Sequence, residues 1–185
     1  MREDMLELLR RAGYEGALGA TNALSNMLGR KVYVNVLGLL ALLPEDIPEI
    51  LGGREKHVAC VLSRLHGGYE GFTAFICPLR YAVKISLRII EGLPPVEDIQ
   101  EDAFRELGNI VIGNFISGIA NNIGVKITYD EPVILIDTLG AVLDSVIALV
   151  SDECEVCYVY YLSFEGIDLK KAKLILIPKV VLHAP

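Results

Sequence analysis

Three polar residues, Asp102, Glu106 and Asn109, have a spacing that could support chemistry. With about 3.6 residues per helical turn, steps of four and three place their side chains along one helix face, which Gly113 and Ser117 extend. Glu106 offers a fixed negative charge, and Asn109 offers an amide that both donates and accepts hydrogen bonds. Gly113 would leave a notch where another backbone could approach. The strip predicts either an interaction site or merely the solvent-facing stripe of a core helix.

The helix that carries this strip is predicted to begin near Asp98 and to end at Gly124. Asp98 has the spacing of a carboxylate cap, with Glu101 three residues later, and Gly124 is a typical stop signal. The flanks of the strip are apolar, so the rest of the helix should be buried. These flanking residues are Phe104, Leu107, Ile110, Val111, Phe115, Ile119 and Ile123.

The remaining chain alternates between helical and extended patterns. We expect helices over 2–28, 44–51, 79–90 and 140–150, and extended segments over 31–42, 57–65, 69–76, 125–136, 155–164 and 172–178. The sequence His66-Gly67-Gly68 predicts a hairpin turn between two of these strands.

An offset of 95 residues aligns the two halves of the chain. It places Gly13 on Gly108, Asn26 on Asn121, Gly29 on Gly124 and Lys31 on Lys126, and both halves run from a long helix through a glycine to a strand. Two amphipathic helices would share some residue types by chance, but these four identities, which need no gap in the alignment, favour an internal duplication. We therefore expect one α+β domain over 1–185, made of repeats at about 1–93 and 94–185, with two long helices packed on a mainly antiparallel sheet.

Composition excludes several classes of protein. The chain has 185 residues, 52% of them hydrophobic, which is ample for a real core. Its net charge of −7 and the lack of a basic stripe argue against nucleic acid as a partner. The mean hydropathy of +0.45 raises the question of a membrane segment. The run from Val133 to Val150 contains Asp137 and Asp144, and Met1–Met5 lacks the order of a signal peptide. We expect a cytoplasmic protein.

The cysteine pair Cys154-x-x-Cys157 could be a redox or zinc motif. A thioredoxin-type pair opens a helix, but these residues sit in a β-rich run, where positions three apart face opposite sides, and the three histidines show no ligand spacing. Reduced, buried or half-buried thiols are the favoured interpretation, with no metal site.

The longer pattern Asp102-x3-Glu106-x2-Asn109, followed after 22 intervening residues by Pro132, resembles the signature of the CheC-type chemotaxis phosphatases. That signature is (Asp or Ser)-x3-Glu-x2-Asn-x22-Pro. The residues around Asn109 also resemble this family, and so does the apparent duplication. The resemblance therefore covers essentially the whole chain.

The resemblance implies a specific activity: hydrolysis of the aspartyl phosphate of a CheY-type response regulator. Asn109 would orient the attacking water, Glu106 would contact a regulator lysine, and Mg2+ would be supplied by the regulator, with no cofactor bound by this chain. An acyl phosphate is already labile, so positioning a water suffices. No phosphate loop or nucleophile elbow competes with this interpretation.

The first repeat departs from the signature. The offset maps the four signature residues to Glu7, Arg11, Tyr14 and Leu37. Arg11 reverses the charge that would meet a lysine, and Tyr14 cannot supply an amide. We expect one active centre, in the second repeat.

Two alternatives come from the same resemblance. The chain could mainly bind the receptor deamidase CheD, as family members do, with little catalysis of its own. It could also be a flagellar-switch component, although such components usually carry an extra switch-binding domain, for which we expect no room here.

Overall fold

The computed structural model describes residues 2–94, 97–149, 156–167, 169 and 171–179. The helices are α1 (Arg2–Leu28), α2 (Ile47–Ile50), α3 (Leu79–Ile89), α4 (Glu97–Ile123) and α5 (Leu139–Ala148). The strands are β1 (Tyr33–Leu42), β2 (His57–Gly67), β3 (Gly71–Pro78), β4 (Ile127–Tyr129), β5 (Val133–Thr138), β6 (Cys157–Glu165) and β7 (Lys173–Pro178). The predicted α+β class is confirmed.

The seven strands form one sheet in the order β1-β6-β7-β3-β2, and both β4 and β5 pair with the outer side of β2. Every strand pair in the described part of the chain is antiparallel. Because β4 and β5 share β2, the connection between them lies at one edge of the sheet, on the side opposite β1.

The sheet separates two hydrophobic clusters. Along β3, Phe75 and Cys77 belong to the cluster that includes residues of α1, α3 and α4, whereas Ala74 and Ile76 belong to the cluster that includes α2 and α5. Successive strand residues point to opposite faces, so this alternation follows from the strand geometry. The prediction that both long helices pack on one side of an antiparallel sheet is confirmed.

The two long helices approach each other closely through glycines. A Cβ on Gly16 would lie 2.6 Å from the Phe115 Cα, and one on Gly118 would lie 2.5 Å from the Ala12 carbonyl oxygen. Neither position has room for a side chain. The contact between α1 and α4 therefore fixes the position of α4, and with it the polar strip.

The repeat prediction agrees with several regularities. Both α1 and α4 have 27 residues, their bounds differ by 95, and the glycines that follow them, Gly29 and Gly124, both have positive φ. The sheet order is also symmetric. Exchanging β1 with β5, β6 with β2 and β7 with β3 turns the order β1-β6-β7-β3-β2-β5 into the same order read from the other edge. The duplication and the division into two repeats stay predictions, because these regularities concern the order of elements and not common descent.

The structure differs from the expected elements at two places. The segment expected to be extended over 125–136 contains two strands, because Asp130 to Pro132 interrupts it between β4 and β5. Asp98 was expected to cap α4 but lies inside the helix, which already includes Glu97. The predicted end of the helix at Val150 and the predicted start of the strand at Glu155 lie outside the described residues.

Candidate functional site

The polar strip of α4 lies on the surface, as predicted. Asp102 and Glu106 are exposed and Asn109 is half-buried, whereas Leu107 and Val111, on the other side of the helix, are fully buried. Asp102 accepts a hydrogen bond of 2.7 Å from Arg105. Among the described residues, no cation lies within ion-pair distance of Glu106. The carboxylate of Glu106 is thus available to a cation on another molecule.

Tyr129, the last residue of β4, is part of the site, although no sequence pattern indicates it. Its hydroxyl donates a hydrogen bond of 3.3 Å to the Asn109 Oδ1. The same hydroxyl lies above Gly113, where a Cβ would be 2.6 Å from the Tyr129 Oη. The notch expected at Gly113 therefore exists, but the expectation that another backbone would enter it was wrong. A side chain of this chain fills it.

The connection after Tyr129 is held by β2. The Asp130 carboxylate lies 2.9 Å from the His66 Nε2, and its carbonyl oxygen accepts a hydrogen bond of 2.6 Å from the Ser63 hydroxyl. Its amide donates to the Arg64 carbonyl at 3.0 Å. Pro132, the last signature residue, is buried just before β5 begins. These contacts fix the end of β4, and so the position from which Tyr129 reaches α4.

The electrostatics of the site keep Tyr129 protonated. Burial raises the pKa of its hydroxyl above the usual value of 10.0, and the nearby negative charge of Glu106 raises that pKa further. Both effects disfavour the phenolate. The hydroxyl consequently stays a hydrogen-bond donor across the neutral pH range.

The described residues contain no group of three or more His, Cys, Asp or Glu side chains that could hold a metal ion. Cys60, Cys77 and Cys157 are buried, as expected for structural thiols. Cys154 lies outside the described residues, so the interpretation of the Cys154 and Cys157 pair stays a prediction.

The corresponding face of α1 has a different character. Glu7 lies 2.8 Å from the Arg10 guanidinium and 3.5 Å from that of Arg11, so its charge is shared with two cations of the same helix. Tyr14 is 58% exposed and Leu37 is 71% exposed. Leu37 lies at the irregularity of β1, where the pairing with β6 shifts between Val36 and Gly38. The positions that the offset assigns to the signature are therefore ion-paired at Glu7 and Arg11 and exposed at Tyr14 and Leu37.

Comparison with known proteins agrees with this architecture. The family model described as chemotaxis phosphatase CheX matches residues 59–148, which run from within β2 to the end of α5 and include the whole polar strip. The chain is also 29% identical over 150 residues to the CheY-P phosphatase CheC of Bacillus subtilis, covering 77% of this chain and 71% of the relative. The chain is thus similar in sequence to CheX and CheC chemotaxis phosphatases.

Several solved structures share the fold. FliY from Thermotoga maritima matches with a TM-score of 0.67 at 16% identity, over 95% of this chain and 88% of FliY. CheX from Borrelia burgdorferi, solved in complex with CheY, BeF3 and Mg2+, matches with a TM-score of 0.53 at 15% identity, over 90% of this chain and 97% of the other. At these identities, the likeness establishes the fold.

No helix in the described ranges combines the length and the apolar character that crossing a membrane would need.

Proposed function

We propose that this chain is a member of the CheC/CheX phosphatase family and hydrolyses the aspartyl phosphate of a CheY-type response regulator. The observation that carries the proposal is the pair formed by Glu106 and Asn109: both lie on the accessible face of α4, one helical turn apart, within the family signature. Such a pair can dock a partner and position a water molecule without supplying a nucleophile of its own.

The proposed roles follow from the chemistry of each side chain. Glu106 lacks an ion-pair partner among the described residues, so it can contact a lysine of the regulator. Asn109, one turn further along α4, reaches towards the phosphoryl group and orients the attacking water. The water oxygen forms a new bond to phosphorus while the bond to the aspartate oxygen breaks. The aspartate leaves as a carboxylate, and the protons of water pass to phosphate and solvent.

No cofactor is assigned to this chain. The exposed carboxylates of Asp102 and Glu106 lie along a helix and do not converge into the oxygen cage that Mg2+ requires. Mg2+ bound by the regulator would neutralise charge on the phosphoryl group. This division of labour predicts that the phosphatase alone binds Mg2+ negligibly.

We place one active centre in the chain, on α4. Arg11 and Tyr14 occupy the first-repeat positions, and their chemistry is opposed to the proposed roles: Arg11 would repel a lysine, and Tyr14 has no amide. A cytoplasmic location, where it would meet its regulator, stays a prediction.

The test is the lifetime of a phosphorylated CheY-type regulator with the wild-type chain, Asn109→Ala or Glu106→Ala. Asn109→Ala should lower the maximal rate on the order of 100-fold, because the water loses its orientation. Glu106→Ala should mainly weaken regulator binding. Both residues are accessible, so neither change should disturb folding. Full activity of both variants on every regulator tested would refute the assignment.

A second proposal is that the chain also binds the deamidase CheD. Exposed apolar side chains on α1 favour it, because Tyr14 is 58% exposed and Leu18 is 64% exposed. Purified CheD should bind the wild-type chain and lose affinity for Leu18→Asp, whereas Glu106→Ala should bind it normally. Equal affinity of all three proteins would contradict this location.

A further inference from the structure

The amide of Asn109 needs an orientation as well as a position. Its oxygen accepts hydrogen bonds and its nitrogen donates them, but the two ends are almost equal in size. Packing alone cannot distinguish a flipped amide from the correct one. An amide that orients water from a half-buried position therefore needs a polar neighbour that holds it in place.

Tyr129 is such a neighbour. Its protonated hydroxyl donates to the Asn109 Oδ1 at 3.3 Å. A flipped amide would instead donate from its NH2 group to the same hydroxyl oxygen, so the contact holds the side chain in either orientation, and in the structure the hydroxyl donates to Oδ1. The oxygen keeps a second lone pair, which can accept a hydrogen bond from a water molecule outside the protein.

The surroundings fix the hydroxyl from two directions. On the helix side, Gly113 leaves the space it occupies, since a Cβ there would lie 2.6 Å from the Tyr129 Oη. On the strand side, Asp130 is held by His66 at 2.9 Å and by Ser63 at 2.6 Å, immediately after Tyr129. The contact thus joins two separately anchored elements, α4 and the end of β4.

We propose that Tyr129 is a positioning residue for the phosphatase reaction: its hydroxyl holds the Asn109 side chain in place, and Gly113 provides the space for that hydroxyl. This inference rests on the proposed function of Asn109. It assigns Tyr129 no contact with the regulator or with phosphate, so loss of its hydroxyl should change turnover and leave docking through Glu106 unchanged.

The experiment compares wild type, Tyr129→Phe, Gly113→Ala and the double variant with Asn109→Ala as reference. Turnover is measured with saturating phosphorylated regulator, and affinity is measured separately with the regulator bound to BeF3 and Mg2+. Tyr129→Phe should lower kcat by about three- to tenfold, the range expected for one neutral hydrogen bond, with unchanged affinity. Gly113→Ala should lower kcat similarly, because its Cβ displaces the hydroxyl.

The double variant should be no slower than Tyr129→Phe, since both changes remove the same contact. Tyr33→Phe is the matched control: Tyr33 is a half-exposed tyrosine on β1, at the other edge of the sheet, and its loss should leave kcat unchanged. Wild-type kcat in Tyr129→Phe, together with an inactive Asn109→Ala, would refute the positioning role alone. A wild-type chain that does not shorten the lifetime of the phosphorylated regulator would instead refute the proposed function. Weakened affinity in Tyr129→Phe would show a docking role and overturn the inference.

Discussion

The close contact between Gly113 and Tyr129 makes a sharp prediction about stability. Replacing a glycine inside a helix by alanine ordinarily stabilises a protein by about 0.5–1 kcal/mol, because glycine loses more backbone entropy on folding. In wild type, however, the new Cβ would lie 2.6 Å from the Tyr129 Oη. The sign of the effect of Gly113→Ala should therefore depend on whether that oxygen is present.

The magnitude follows from the distances. With Tyr129 present, the hydroxyl must move away and lose its 3.3 Å hydrogen bond to Asn109. That loss costs about 0.5–1.5 kcal/mol and cancels or exceeds the entropic gain. In Tyr129→Phe, the nearest ring atom is the Cζ at 3.6 Å, an ordinary van der Waals distance. The gain of up to about 1 kcal/mol should then appear in full.

Urea unfolding of the four proteins in this cycle measures the effect. We expect Gly113→Ala to be neutral or destabilising with Tyr129 and stabilising with Phe at that position, a coupling of about 1 kcal/mol. For a chain of this length, this corresponds to a difference of about 2–4 °C in Tm. Equal effects of Gly113→Ala in both backgrounds, within error, would refute the close contact and the reasoning built on it.

Three further predictions concern packing, thiols and metal. Gly118→Ala should lower the free energy of unfolding by about 1–3 kcal/mol, because its Cβ would lie 2.5 Å from the Ala12 carbonyl oxygen; a urea midpoint at or above that of wild type would contradict this. Burial raises the pKa of the Cys60 thiol from 9.0 to about 12, so the unfolded chain ionises first and stability should fall as pH rises above 9. Cys60→Ala should remove up to about 1.4 kcal/mol per pH unit from that decline, and an unchanged slope in urea unfolding at pH 8–10 would show that the thiol is not buried. Calorimetry of the isolated protein should show negligible Mg2+ binding while phosphatase activity requires Mg2+, and tight binding by the isolated protein would contradict the absence of a metal site.

Much of the fold was predictable because its signals are local. The long helices end at Gly29 and Gly124, whose positive φ values are those that glycine adopts readily. Hydrophobic periodicity and the glycine stops sufficed for both helices and for the hairpin between β2 and β3. The break between β4 and β5 was missed, although Pro132 lacks the N–H group that a continuous strand pairing would use.

The candidate site was predictable only along the helix. Asp102, Glu106 and Asn109 share a face through helical periodicity, and the structure confirms that face. Tyr129 lies 20 residues after Asn109, on a strand, and only the tertiary fold brings the two together. For the same reason, the space above Gly113 looked open from sequence alone. A small residue on a polar strip indicates a close approach but not which group approaches.

The central claim is that one site, on α4, performs the hydrolysis. The most direct measurement is the lifetime of a phosphorylated CheY-type regulator with two double variants, Arg11→Ala with Tyr14→Ala and Glu106→Ala with Asn109→Ala. The account predicts near-normal stimulation of dephosphorylation by the first and only the regulator's own slow decay with the second. Substantial activity in the second, lost only when Arg11 and Tyr14 are also replaced, would show that α1 carries the active site and would contradict the account.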